Sequence, residues 1–162
     1  MISDPTLRAR ALAELYLHSE GRLWNDLAEC DAGAALAPGA RGEWESFALY
    51  ACVRGLVAAG GFNVETVAAV DALHDAVVER WAAQSAATEA LDVRRARLAE
   101  RYAEYGRIGQ ELEAKGAHQV TQALGEAAAR HMAGGDPRVA VMAGELHEAL
   151  AEGAAEFVRD GS

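Results

Sequence analysis

The sequence contains few residues that cross-link or interrupt a fold. Its two cysteines, Cys30 and Cys52, fit no zinc-binding or redox spacing, and only three prolines are present. Aromatic residues are limited to three tryptophans, four tyrosines and three phenylalanines. A chain of 162 residues can still bury about 68–70% of its unfolded surface, so a core is possible without metal or disulfide. We therefore expect reduced cysteines and a core built from aliphatic side chains.

Positive charge is also scarce. The 15 lysines and arginines face 25 aspartates and glutamates, which gives a formal net charge of −10 and an isoelectric point near 4.9. This acidity argues against nonspecific binding to nucleic acid and against docking on an anionic membrane surface. The N-terminus shows no basic segment followed by an apolar run, as a secretory signal would. These features predict a soluble, cytoplasmic protein with no nucleic-acid or membrane partner.

Familiar catalytic and cofactor motifs are missing. The sequence has no G-x-S-x-G, no P-loop, no dinucleotide-binding glycine motif and no His-Glu-x-x-His, and its five histidines are scattered singly. Catalytic partners can lie far apart in a sequence, so a site assembled across helices stays open. The sequence favours a protein without enzymatic activity and without a cofactor.

Helix-forming residues dominate what is present. Alanine, the strongest helix former, occupies 38 positions. Residues 44–60 are apolar on nearly every side, and a helix of that kind is buried in a protein or in a membrane. The stretch is short for a membrane span and contains Arg54. We predict a single all-α domain over residues 1–162, with five or six helices packed as a bundle around residues 44–60.

The two sides of this central helix differ in side-chain size. Placed at about 100° per residue, small residues fall on one side and larger ones on the other. Small residues let a second helix come close, and larger ones fill a core, so we expect neighbours on both sides. The small residues are Ala48, Ala51, Cys52, Gly55, Ala58 and Ala59, and the larger ones are Leu49, Val53, Leu56 and Val57.

Arg54 lies on the seam between these sides, one turn after Tyr50. A buried arginine keeps its charge and needs a carboxylate or an aromatic stack. Two interpretations follow. Arg54 is either paired for structural reasons, or it anchors an anion in a pocket.

Helix start and stop signals divide the rest of the chain. They predict helices at about 5–30, 63–83, 89–115, 118–132 and 137–159, a weak break at 84–88, and a mobile Gly/Ala/Pro-rich connector near 31–42. The start signals are Asp4-Pro5, Asn63 and Asp136-Pro137, and the stops are Gly60-Gly61, Gly116 and Gly134-Gly135. On the last helix we expect Met142, Leu146, Leu150, Gly153 and Phe157 to point inward.

Asp71-x-x-His74-Asp75 is the only cluster with some metal-ligand character. Helical di-iron sites use Glu-x-x-His twice with two further glutamates, whereas this chain has one half-motif with aspartate in place of glutamate. His74 falls within the apolar face of its predicted helix. It is either a hydrogen-bonded core histidine beside a solvated acidic edge, or part of a ligand or metal site with Asp71 and Asp75.

The predicted fourth helix combines an apolar repeat with basic residues. Leu91, Leu98, Tyr105 and Leu112 recur every seven residues, as in a packing seam. The basic side chains are Arg94, Arg95, Arg97, Arg101 and Arg107, which alternate with glutamates. These arginines form either a solvated, salt-bridged face or a patch that meets the acidic surface of a second copy or another protein.

The C-terminal part of the chain bears one resemblance to a known family. Residues 131–139, His-Met-Ala-Gly-Gly-Asp-Pro-Arg-Val, and 156–161, Glu-Phe-Val-Arg-Asp-Gly, are similar to the C-terminal end of the TipAS-like antibiotic-recognition domains. Those domains are helical and bind drug-like peptides. Their aromatic-rich upstream segment has no counterpart here, and we assign no family from this likeness.

Three hypotheses of function follow from the sequence. The first is a non-catalytic interaction module that self-associates or binds another protein, because of the seven-residue seam and the arginine face. The second is a small-ligand-binding helical domain with a pocket beside Arg54, Tyr50 and His74. The third is a metal-dependent helical enzyme that uses Asp71, His74 and Asp75.

Overall fold

Six α-helices make up most of residues 4–84 and 89–160, the part of the chain that the structure, a computed structural model, describes. Short 3₁₀ helices lie at Asp31–Ala35 and Glu113–Lys115, and no strand occurs within these ranges, so the predicted all-α class is confirmed. Residues 85–88 of the predicted break at 84–88 lie outside the described ranges. The helices are α1 (Pro5–Glu29), α2 (Ala40–Gly60), α3 (Val64–Ala83), α4 (Leu91–Leu112), α5 (Ala117–Ala133) and α6 (Pro137–Asp160).

Local capping explains where several helices begin. The Asp4 carboxylate accepts a hydrogen bond from the backbone N–H of Thr6 at 2.8 Å, and the Asn63 side chain accepts one from the N–H of Thr66 at 2.9 Å. Each satisfies a backbone donor that has no partner inside the helix. At the C-terminal end of α5, Gly134 adopts φ 59°, a left-handed conformation that favours glycine.

Helix α2 lies at the centre of the bundle. It contacts all five other helices, most extensively α6, which confirms the predicted central apolar helix. The helix begins at Ala40, four residues before the predicted start at Trp44, and Ala40 itself is buried. Within the predicted connector near 31–42, the backbone N–H of Ala37 donates to the carbonyl of Met132 at the end of α5, at 2.8 Å.

The small side of α2 packs closely on α6, as its composition predicts. A Cβ atom placed on Gly55 would lie only 2.6 Å from the Cβ of Ala154 and 2.7 Å from the carbonyl oxygen of Ala151. Helices α5 and α6 meet in the same way, since a Cβ on Gly125 would lie 2.3 Å from the carbonyl oxygen of Ala140. Side chains of this size therefore set the spacing of α2, α5 and α6.

The inward side of α6 differs from the prediction. Leu150 is buried as expected, but Gly153 is exposed, and Met142, Leu146 and Phe157 are only half-buried. The inward side of the helix instead carries many alanines and Gly144, because α2 and α5 approach it closely. The buried residues are Val139, Ala140, Ala143, Gly144, His147, Leu150, Ala151, Ala154, Ala155 and Val158. Among the described helices, none combines the length and apolarity that a membrane crossing requires.

Candidate functional site

The arginines of α4 are held mainly by glutamates of the same chain. Nε and Nη2 of Arg101 donate to the two carboxylate oxygens of Glu43 on α2, at 2.7 and 3.0 Å. Nε of Arg97 lies 3.6 Å from Glu43, and its guanidinium also pairs with Glu89. Such paired, forked contacts orient an arginine as well as neutralise it. Two of the five basic side chains thus face inward.

A third arginine, Arg94, is buried at the contact of α4 with α2 and α3. Its Nη2 donates to Glu45 at 3.1 Å, and its guanidinium lies 4.2 Å from the ring centroid of Trp81. A buried arginine with a carboxylate and an aromatic face needs no further partner. Of the five arginines of the predicted face, Arg95 and Arg107 are exposed.

The seven-residue seam of α4 also packs within the chain. Leu98 and Tyr105 are buried, and Leu91 and Leu112 are half-buried against the core. The ring of Tyr105 lies 5.2 Å from that of Phe47 on α2. The seam and three of the five arginines are therefore engaged in contacts within the chain.

Tyr50 and His74, two of the predicted ligand-binding residues, converge on Tyr102 of α4. Nε2 of His74 lies 2.8 Å from the Tyr102 hydroxyl, and the Tyr50 ring centroid lies 5.3 Å from that of Tyr102. Burial lowers the pKa of His74, although the charges of Asp71 and Asp75 oppose this effect. The imidazole is therefore neutral at pH 7 and can accept a hydrogen bond from the Tyr102 hydroxyl.

The acidic partners proposed for a metal do not join His74 in a ligand cluster. Asp71 and Asp75 are exposed on α3, whereas His74 is directed to Tyr102. Across residues 4–84 and 89–160, no group of three or more histidine, cysteine, aspartate or glutamate side chains is placed to hold a metal ion. The metal site of Asp71, His74 and Asp75 stays a prediction that this geometry does not support.

Arg54, the third predicted ligand-binding residue, is paired with α6. Its Nη1 donates to Oε2 of Glu148 at 3.0 Å, and the hydroxyl of Thr121 on α5 donates to the same oxygen at 2.6 Å. Burial acts to raise the pKa of Glu148, but the hydrogen bond from Thr121 and the charge of Arg54 lower it. Arg54 is thus paired with a carboxylate, as the first of its two interpretations expects, and its contacts differ from those of Tyr50 and His74.

His147 is a buried histidine that sequence reasoning missed. It has no exposed surface, and its ring stacks on Phe47 with centroids 4.1 Å apart. Neither ring nitrogen has a well-formed hydrogen bond. Burial and the charge of Arg54 hold its pKa well below the usual value of 6.5, while the nearby main chain of Phe47 acts weakly in the opposite direction. His147 is therefore a neutral core residue near pH 7.

A groove of about 730 Å³ runs between α5 and α6. The buried part of its lining consists of the small residues Ala140 and Gly144, which Gly125 of α5 approaches closely. Longer polar side chains stand along its edges. The lining residues are His118, Thr121, Gln122, Glu126, Arg130, Gly135, Pro137, Ala140, Val141, Gly144 and Glu145.

A second groove of about 390 Å³ adjoins the first along α6. Pro137, Val141 and Glu145 line both grooves, and Met142 extends the apolar lining of the second. Val141 leaves 62% of its surface exposed and adds apolar surface to both grooves. Together the grooves form a surface with an apolar floor and polar edges, which we call the α5–α6 groove.

The chain matches no family model, and comparisons with curated proteins and with solved structures found no significant match either. A function therefore has to be argued from the fold and its surface alone.

Proposed function

We propose that the protein is a non-catalytic binding domain that holds a small organic ligand in the α5–α6 groove. The observation that carries this proposal is the groove itself. Its volume of about 730 Å³ falls within the range typical of small-molecule sites, about 300–1,000 Å³. It combines an apolar floor with hydrogen-bonding groups at its edges, which is the usual composition of such sites.

The contacts of Arg54 support one wall of this groove. Thr121 lines the groove, and its hydroxyl is fixed by Glu148, which Arg54 holds in turn. Arg54 acts in this proposal as a positioning residue behind the wall, and Tyr50 and His74 do not line the groove.

A thermal-shift screen of drug-sized organic molecules tests the proposal. A ligand present at about 100 times its dissociation constant stabilises the native state by about 2.7 kcal/mol, which raises the melting temperature of a domain of this size by roughly 5–10 °C. The substitution Val141→Trp fills the groove and should abolish that shift. The matched control Val93→Trp changes an exposed valine of α4 and should keep the ligand-induced shift in melting temperature. A response that survives Val141→Trp, or a broad screen with no response, would refute the proposal.

Self-association is the second candidate, and exposed apolar side chains favour it. Phe62 and Val64 leave 90% and 84% of their surfaces exposed at the turn between α2 and α3. Leu7 and Val67, near the starts of α1 and α3, are also more than half exposed. Isolated exposed apolar residues are common, but several near one end of a domain are typical of an interaction surface.

Sedimentation velocity across the micromolar range tests self-association. We expect a concentration-dependent increase in mass that the double substitution Phe62→Asp and Val64→Glu removes. The control Val93→Glu, which places a charge on exposed α4 surface, should leave it unchanged. A strictly monomeric wild-type protein would rule this candidate out.

A further inference from the structure

We infer that the ligand of the α5–α6 groove is an organic cation with an apolar body, an inference that rests on the function proposed above. The positive charge of the ligand is inferred because the arginines of the groove are paired with carboxylates, whereas, in the part of the chain that the structure describes, two of its glutamates are not paired with a cation. The apolar part of the ligand follows from three apolar residues of the lining, Pro137, Ala140 and Val141.

Two carboxylates in the groove are without a cationic partner among the residues that the structure describes. Glu126 on α5 and Glu145 on α6 both line the groove and are exposed. Glu126 accepts a hydrogen bond from the neutral amide of Gln122 at 3.1 Å. The ion pairs found among residues 4–84 and 89–160 include neither glutamate. Both negative charges are therefore available to a ligand.

Two arginines also line the grooves, Arg130 in the first and Arg138 in the second, and each is paired with a carboxylate. Arg130 lies with Nη2 3.5 Å from Glu104 on α4, and Arg138 lies with Nη2 3.2 Å from Asp136, whose pKa it lowers through their hydrogen bonds. Because each arginine already faces a carboxylate, neither offsets Glu126 or Glu145. The chain as a whole also carries a formal charge of −10. The groove is thus electrostatically negative and favours a cation.

The cation must also be partly apolar. An inorganic ion would gain nothing from the floor, whereas an aromatic or aliphatic amine places its body on Val141 and Ala140 and its ammonium between the carboxylates. Exposed ion pairs are weak and screened by salt, so the charge is expected to select among ligands that already fit rather than to supply most of the affinity.

Three probes of equal shape test the inference. These are 2-naphthylmethylamine, 2-naphthylmethanol and 2-naphthoate, titrated into the ¹⁵N-labelled full chain up to about 10 mM, a range that detects millimolar dissociation constants. We expect amide shifts in α5 and α6, and a dissociation constant for the amine about three- to tenfold below that of the alcohol, with the carboxylate weakest. This preference should shrink as the salt concentration rises.

A matched pair of double variants assigns the effect to the groove. Glu126→Gln with Glu145→Gln should remove most of the preference for the amine and leave binding of the alcohol unchanged. Glu111→Gln with Glu113→Gln changes the net charge equally, on exposed residues outside the groove lining, and should keep the preference.

The outcomes separate the two proposals. Binding in the groove with no preference for the amine, or equal losses in both double variants, would overturn the charge inference and leave groove binding standing. Shifts confined to other helices, or no binding by any probe, would overturn both.

Discussion

The close packing of α2 on α6 makes a sharp prediction for Gly55→Ala. The added Cβ would lie 2.6 Å from the Cβ of Ala154, 2.7 Å from the carbonyl oxygen of Ala151 and 2.9 Å from the backbone nitrogen of Ala155. None of these atoms is the end of a flexible side chain, so the clash can be relieved only by moving one helix away from the other.

The size of the effect comes from two opposing contributions. Replacing a glycine inside a helix by alanine stabilises the helix by about 1 kcal/mol. Overpacking a core costs roughly 1–3 kcal/mol, and a contact with backbone atoms belongs at the upper end. The net loss for Gly55→Ala is therefore about 2 kcal/mol, which corresponds to a melting temperature roughly 4–8 °C lower.

Gly153→Ala is the matched control. Gly153 lies in α6 and is exposed, and a Cβ atom added there would meet no packing neighbour within 4 Å. The variant should gain about 0.5–1 kcal/mol from helix propensity alone. Urea denaturation followed by circular dichroism measures both variants, which should differ in midpoint at unchanged slope. If Gly55→Ala were as stable as Gly153→Ala, the close α2–α6 contact would be refuted.

Two further predictions concern charge. Because the folded-state pKa of His147 is lowered, the unfolded chain binds the proton more readily, and stability is lost as pH falls below about 6.5. In urea titrations, His147→Phe should reduce the loss of unfolding free energy between pH 7 and pH 5. His74, whose pKa is also lowered, should account for part of the loss that remains. Equal losses in the variant and the wild type would contradict this prediction. Glu43→Gln should lower the free energy of unfolding by about 1–3 kcal/mol in the same assay, because it weakens the two hydrogen bonds to Arg101 at a half-buried contact. The control Glu14→Gln removes a charge from an exposed ion pair and should lower the free energy of unfolding clearly less. Comparable losses in Glu14→Gln and Glu43→Gln would argue against the α2–α4 contact.

Helix positions were predictable because their signals are local. Asp4 and Asn63 act as caps through their own first turns, and Gly134 ends α5 through its own backbone conformation. The central position of α2 was also predictable, since a helix that is apolar on all sides has to be enclosed. None of these features needs knowledge of which helix packs on which.

Features that depend on packing order were not predictable. Arg101 and Glu43 are 58 residues apart, so the sequence could not tell whether the arginine face meets α2 or a second molecule. The α5–α6 groove has the same origin, because it follows from the close approach of Gly125 to Ala140 and Gly144. Large apolar side chains at helical spacing also mispredict the inward face of α6, because half of its buried residues are alanine.

The alanine-rich contact between α2 and α6 has a thermodynamic consequence. Alanine and glycine lose no rotamer freedom on burial, so this interface forms at almost no cost in side-chain entropy. Each alanine also removes little apolar surface from water, and the heat-capacity change of unfolding scales with that surface. A bundle joined in this way should unfold with a flatter dependence of stability on temperature than one of equal length joined by leucines.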